Sequence, residues 1–164
     1  MKVTVRQKSS GKIHKILADI QETLKEAPQY EVAVGFPVGV GGLGTPEPAY
    51  DGKASIIEVA LKNNYGIGVP RRAFMDEARE DMEKTYKRVM EGTAPKLRDG
   101  TAKLRKVLDL AGGQAEDDIR NSISHGNWQP NSELTIRLKG SDKPLIDTKT
   151  MRTRVTHIVR KAER

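Results

Sequence analysis

The residues most able to do chemistry are few and badly spaced for it. His14, His125 and His157 are the only histidines, and none has a second imidazole four positions away, as a zinc-binding helix requires. They read as ordinary surface or half-buried side chains. Glu116-Asp117-Asp118 offers three carboxylates, but consecutive helical positions point in different directions, and no spaced ligand set accompanies them. That run reads as a solvated face. The serines include no G-x-S-x-G pattern, and no Ser/His/Asp order stands out. The chain has no cysteine, which excludes disulfides, thiolate nucleophiles and thiolate metal sites. Nothing selects a working pair of carboxylates. The expectation is a non-enzymatic protein with no cofactor and no metal.

Phosphate recognition fares no better. Residues 38–53 are dense in Gly and Pro, yet Gly52-Lys53 is followed by Ala54, and Glu47 stands where a phosphate-binding loop needs its first Gly. A loop of that length inside a compact domain is usually functional or mobile, so it reads as an arm that orders against a neighbour or as a plain hairpin tip. The formal net charge is +7, with aromatics at 4%. Stacking on bases is therefore poorly provided for, and no helix-turn-helix, zinc-finger or basic-zipper pattern is present. The basic residues gather at both ends: Lys2, Arg6 and Lys8 at one, Arg152, Arg154, Arg160 and Lys161 at the other. They are either solvated segments or contacts for DNA phosphates or an acidic protein; contact with DNA would be indifferent to sequence and steeply salt-dependent. No apolar run approaches the roughly 20 residues of a membrane span, and the first residues lack the apolar core of a secretory signal.

The elements that must position these groups follow from periodicity. The 164 residues, 36% hydrophobic, fit one domain spanning 1–164. Residues 2–6 alternate as a short strand. A helix follows, with Ile13, Ile16, Leu17, Ile20 and Leu24 on one face, Lys12, Lys15, Asp19 and Glu22 on the other, and Pro28 stopping it. Val32, Val34 and Phe36 alternate along a half-buried strand at 30–37. Ser55 starts a helix carrying Ile56, Val59, Ala60 and Asn63 on one side, with Gly66 at its left-handed end. Residues 71–124 read as two helices. The first holds Phe74, Ala78, Met82, Tyr86 and Met90 and breaks at 92–95. The second has Leu104, Val107, Leu108, Ala111, Ala115, Ile119 and Ile123 on one stripe, where Gly112-Gly113 marks a kink or close packing. Ser132 caps a helical turn ended by Gly140, and a last strand places Val155 and Val159 on one face. The fold class is α+β: a small, mainly antiparallel sheet packed against several helices on one side.

Two segments carry a pattern beyond periodicity. One runs from Ser55 to Phe74 and includes Ala60, Asn63, Tyr65, Gly66, Val69, Pro70, Arg72 and Phe74. The other runs from Pro130 to Met151 and includes Pro144, Leu145, Asp147 and Thr148. In this order, with the strand at Val32–Phe36 before them, they resemble the tail-completion and minor tail proteins of lambda-like phages and the virion morphogenesis proteins of Mu-like phages. Members of that family typically read A-x-x-N-E-(F/Y)-G…(I/V)-P-x-R-P-F and later K-x-x-x-x-P-L-x-D-T-G-x-(L/M). This chain departs at three positions. Asn64 replaces the acid, Ala73 the Pro, and Lys149 the Gly after Asp-Thr. About a third of the chain matches in detail.

The resemblance implies a structural protein at the neck or tail end of a virion, assembled in the host cytoplasm. It would form a homo-oligomer, a hexameric ring being favoured, and contact other neck, portal-side or tail-tube proteins and packaged DNA. Tyr65, Gly66, Pro70, Arg71, Arg72, Phe74, Pro144, Asp147 and Thr148 are the interface candidates. At that point two readings stand: an exposed Pro70-Arg71-Arg72 turn that makes ring contacts, or residues that simply close the fold. A non-specific DNA-binding protein of a mobile element, acting through its basic ends, is the alternative function, and a small hydrolase is a second rival.

Overall fold

In the computed structural model, the described residues are 29–36, 48–50, 54–98 and 102–162, with four isolated helical positions, Lys15, Ala18, Gln21 and Lys25. Those four are exposed, and Lys15 belongs to the polar face expected there. The apolar face of that helix, the expected strand at 2–6, Lys2, Arg6, Lys8 and most of the 38–53 loop lie outside the described residues. The order of elements is β1 (Tyr30–Gly35), β2 (Pro48–Tyr50), β3 (Ala54–Ser55), α1 (Ile56–Tyr65), α2 (Phe74–Arg98), α3 (Leu104–His125), α4 (Glu133–Lys139), α5 (Thr150–Thr153) and β4 (Thr156–Lys161). The class is α+β, mostly helical, with a two-stranded antiparallel sheet packed against helices.

Strands β1 and β4 pair from Tyr30 opposite Lys161 to Gly35 opposite Thr156. Residues directly opposite share a face, so Val32 and Val34 lie beside Val159 and His157. Against this sheet packs α3. A second, shorter antiparallel pair joins β2 to β3. The far end of the Gly/Pro-rich segment is therefore a strand pair, where an uninterrupted loop to 53 was expected.

Helix α1 begins and ends on the residues that helix chemistry demands. The Ser55 hydroxyl accepts the Glu58 backbone N–H at 3.2 Å, and Glu58 pairs with Lys62 at 2.8 Å one turn on. Gly66 closes it at φ 74°, and the Ile67 N–H returns to the Lys62 carbonyl. An added Cβ at Gly66 would lie 2.9 Å from Arg71 Cβ, so both conformation and space call for glycine.

Helix α2 corrects the expected break at 92–95: it runs unbroken to Arg98, with Pro95 inside it. The Pro lies in the last turn, where only the bond to Glu91 is forfeited, and the Thr93 hydroxyl donates to the Val89 carbonyl at 2.6 Å. Its apolar stripe is also interrupted. Phe74 and Ala78 are fully buried and Met82 is half-buried, but Tyr86 is exposed. Met90, one step further on, is half-buried again.

Helix α3 is the spine. Leu104, Val107, Leu108, Ala111, Ile119 and Ile123 are buried along it as the stripe predicts. Close packing, not a kink, accounts for Gly112: a Cβ there would fall 2.2 Å from Cδ2 of His157. The main core gathers Ala60, Phe74, Ala78, Ile119, Ile123, Leu145, Met151 and Val155. Complete burial of Phe74 alone stabilises the fold by roughly 2–3 kcal/mol. The buried Ser122 hydroxyl donates to the Phe74 carbonyl at 2.9 Å, tying the start of α2 to α3.

Candidate subunit-interface site

The two patterned segments converge on one side chain, Arg72. The turn after α1 is built first: the Arg72 N–H donates to the Asn63 carbonyl at 2.8 Å, and the buried Asn64 accepts the Met75 N–H through its side-chain oxygen at 3.0 Å. Asn64 thus caps α2 from a distance, because Ala73 has no side chain able to do so. Arg71 turns outward, pairing with Asp76 at 2.9 Å and donating from Nε to the Asn64 carbonyl.

Arg72 turns inward and is 5% exposed. Nε donates to the Gln129 carbonyl at 3.0 Å and Nη1 to Asn63 Oδ1 at 3.1 Å. Nη2 donates to Asn131 Oδ1 at 3.1 Å and to the Pro130 carbonyl at 3.4 Å. Every acceptor is neutral. Burial alone pushes the guanidinium below its ordinary pKa.

The second segment folds around that contact. Ser132 accepts the Thr135 N–H at 3.2 Å and caps α4, which ends at the left-handed Gly140. Asn131 Nδ2 donates to the Asp142 carbonyl, fixing the return. Leu145 (φ 60°) and Lys149 (φ 64°) both adopt left-handed backbone, and Met151 is buried in the core. Lys149 holds the position where the resembled family has Gly. Thr148 and Thr150 hydroxyls bond each other between these turns. Between the segments lies a cavity of about 230 Å³ with Val59, Val69, Leu145 and Met151 as apolar walls and Arg72, Lys139 and Asp147 among its polar ones.

The interface candidates therefore separate. Tyr65, Pro70, Arg71 and Thr148 are exposed, Pro144 and Asp147 half-buried, and Gly66 serves the α1 terminus. Arg72 is a correction to the exposed Pro70-Arg71-Arg72 turn, and Phe74, an interface candidate also expected on the apolar stripe, is fully buried. Phe74 fills the core because it opens α2 facing α3, and Arg72 is spent on internal oxygens. Of the basic candidates, Arg152, Arg154, Arg160 and Lys161 are exposed, and Arg160 pairs with Glu31 at 2.6 Å across the sheet.

A second polar cluster holds β4 against α3. His157 Nδ1 lies 2.6 Å from Glu116 Oε1 and Nε2 3.1 Å from Asp109 Oδ1, while the His157 N–H donates to Glu116 at 2.8 Å. Arg120 pairs with Glu116 at 2.6 Å and Asp117 at 3.3 Å and donates to the Val155 carbonyl. Burial lowers the imidazole's pKa, but the bonds to Glu116 and Asp109 outweigh it and the net shift is upward. For Glu116, burial pushes upward, and its bond to His157 with the charge of Arg120 turns the net shift downward. Asp118 points elsewhere, and burial raises it. Among the described residues no group of His, Asp and Glu is arranged to hold a metal. Both imidazole nitrogens are occupied by the clasp.

No family model, curated protein or solved structure matches the chain. Among the described residues no helix is long and apolar enough to cross a membrane. Sequence reasoning missed the partners of both clusters. Gly112 was the one usable signal for His157. The acceptors of Arg72, drawn from backbone carbonyls and two Asn amides, carry no spacing that could announce them.

Proposed function

We propose that this chain is a structural, non-enzymatic subunit of a tailed-phage particle, placed at the neck or tail end, where it forms a ring that completes the tail and joins it to the head. The observation that carries the reading is the meeting of the two patterned segments. They lie 59 positions apart at Arg72 and Asn131, yet their polar residues form a single hydrogen-bonded junction. Asn63, Val69 and Arg72 of the first segment also line one cavity with Leu145, Asp147 and Met151 of the second.

Exposed apolar side chains on these segments support a role in assembly. Tyr65 (60%), Ile67, Leu134 and Leu138 (80%) present apolar side chains on α1, its following turn and α4. Subunits of a ring bury such surface against neighbours, and repeated modest contacts sum around the closed circle. The excess positive charge suits a DNA channel or an acidic partner.

The test is genetic and visual. Where the gene lies in a phage or prophage, its loss is expected to leave filled heads and free tails, seen separately by electron microscopy. Normal joined particles without the chain would overturn the proposal. Tight binding of isolated monomer to DNA, lost steeply with salt, would favour the mobile-element alternative instead.

A further inference from the structure

We infer that the cavity between the two segments is a receptor for a single carboxylate, an Asp or Glu side chain presented by a partner protein. Arg72 is buried against four neutral oxygens and makes no ion pair among the described residues. Lys139 lines the same cavity, half-buried, and its ammonium reaches only the Lys143 carbonyl at 3.5 Å. Burial lowers its pKa, Asp147 works in the opposite direction, and the nearby Arg72 lowers it further. Two cations therefore face one carboxylate, and the cavity carries an uncompensated positive charge. Buried charge is ordinarily compensated by an opposite charge, so the group that complements this cavity is anionic.

Shape selects the kind of anion. A guanidinium has five N–H donors, and the four bonds leave one on Nη1. A space of about 230 Å³ takes one side chain. Its apolar walls suit the methylene stem of Glu or Asp, and its cations suit the carboxylate. A phosphodiester fits poorly: it would have to bring a continuous backbone into a cavity sized for one side chain, and its diffuse charge would meet Asp147. The inference concerns the isolated chain, so its outcome is independent of the particle in which the chain is placed.

The experiment titrates the full chain with the blocked tripeptide acetyl-Ala-Glu-Ala-amide, following the Arg72 Nε–H by NMR at fixed ionic strength. The acetyl-Ala-Gln-Ala-amide peptide and inorganic phosphate serve as comparisons. Saturable shifts are expected with the Glu peptide and not with the Gln peptide. Lys139→Met keeps the apolar stem and is expected to weaken binding about tenfold, a loss of about 1.4 kcal/mol. Asp147→Asn removes the competing carboxylate and is expected to tighten it. Neither substitution touches the Arg72 bonds, so folding can be verified in the same spectra. Equal binding of both peptides, no saturable shift, or an unchanged affinity in Lys139→Met would overturn the inference. Tighter binding of phosphate than of the Glu peptide would overturn it in favour of a phosphate site.

Discussion

The Arg72 guanidinium donates to the side-chain oxygen of Asn131, 59 residues further along, at 3.1 Å. Through this bond the turn between α1 and α2 and the entry to α4 are held as one rigid piece. Replacing Arg72 by Met should cost about 2–4 kcal/mol, because four oxygens lose a donor and those that stay buried are left unsatisfied. Arg72→Lys should recover only part of that, since an ammonium cannot span acceptors arranged for a planar fork. Urea denaturation of the three proteins measures both steps, and an Arg72→Met variant as stable as the parent would contradict the structural role.

Gly112 and His157 form a second coupled pair. Gly112→Ala adds a methyl 2.2 Å from the imidazole and should destabilise by about 1–3 kcal/mol. That is the opposite sign from the gain of roughly 1 kcal/mol that Ala gives in an unobstructed helix. In a His157→Ala background the same substitution should become neutral or favourable. The sign change in a double-mutant cycle is the readout.

The clasp also predicts a pH profile. The folded pKa of His157 lies above its ordinary value of 6.5, so its contribution is complete below that value and is lost as pH rises through the folded pKa. Glu116 is shifted below its ordinary 4.5, so its contribution is present above that value and is lost as pH falls through the folded pKa. These two groups together favour a stability maximum between about 4.5 and 6.5. Melting temperatures across pH should show it, and His157→Gln should flatten the alkaline limb. An unchanged alkaline limb in that variant would remove His157 as its cause.

Lys149 occupies a left-handed backbone position at φ 64°. Such a conformation costs a side-chain-bearing residue about 1–2 kcal/mol, while Gly loses more freedom on folding. Lys149→Gly should therefore stabilise slightly, by up to about 1 kcal/mol. Gly66→Ala should destabilise by more, since it meets both the strained φ and Arg71. Thermal melts of the two variants should move in opposite directions.

These contrasts show where the sequence was legible. Ser55, Gly66, Ser132 and Gly140 announced the ends of α1 and α4, because capping is decided within a few residues. The α3 stripe was equally plain, set by one buried face, and the alternation in β1 located the strand although its residues from Tyr30 to Val34 are all half-buried. Pro95 misled because its local penalty falls where little remains to be lost. Tyr86 misled because its place in the stripe is exposed although Met82 and Met90 on either side are half-buried. Of the candidate site, the segments were visible but the inward turn of Arg72 was not. Its partners are decided by tertiary approach, which no local pattern encodes.

The pairing of β1 with β4 has a mechanical consequence. Its outermost rungs join Tyr30 to Lys161, where the described chain enters and leaves the sheet, and Glu31 bridges to Arg160 over 129 intervening steps of sequence. Load entering before Tyr30 and leaving after Lys161 would meet the ladder one rung at a time. The strands would peel like a zipper, at far lower force than shearing all the rungs together. The Ala162 N–H donates to the Gln29 carbonyl at 2.8 Å at the mouth of that zipper, and the Glu31–Arg160 bridge follows as its side-chain latch. A pull applied at Gln29 and Ala162 tests that latch before it tests the core.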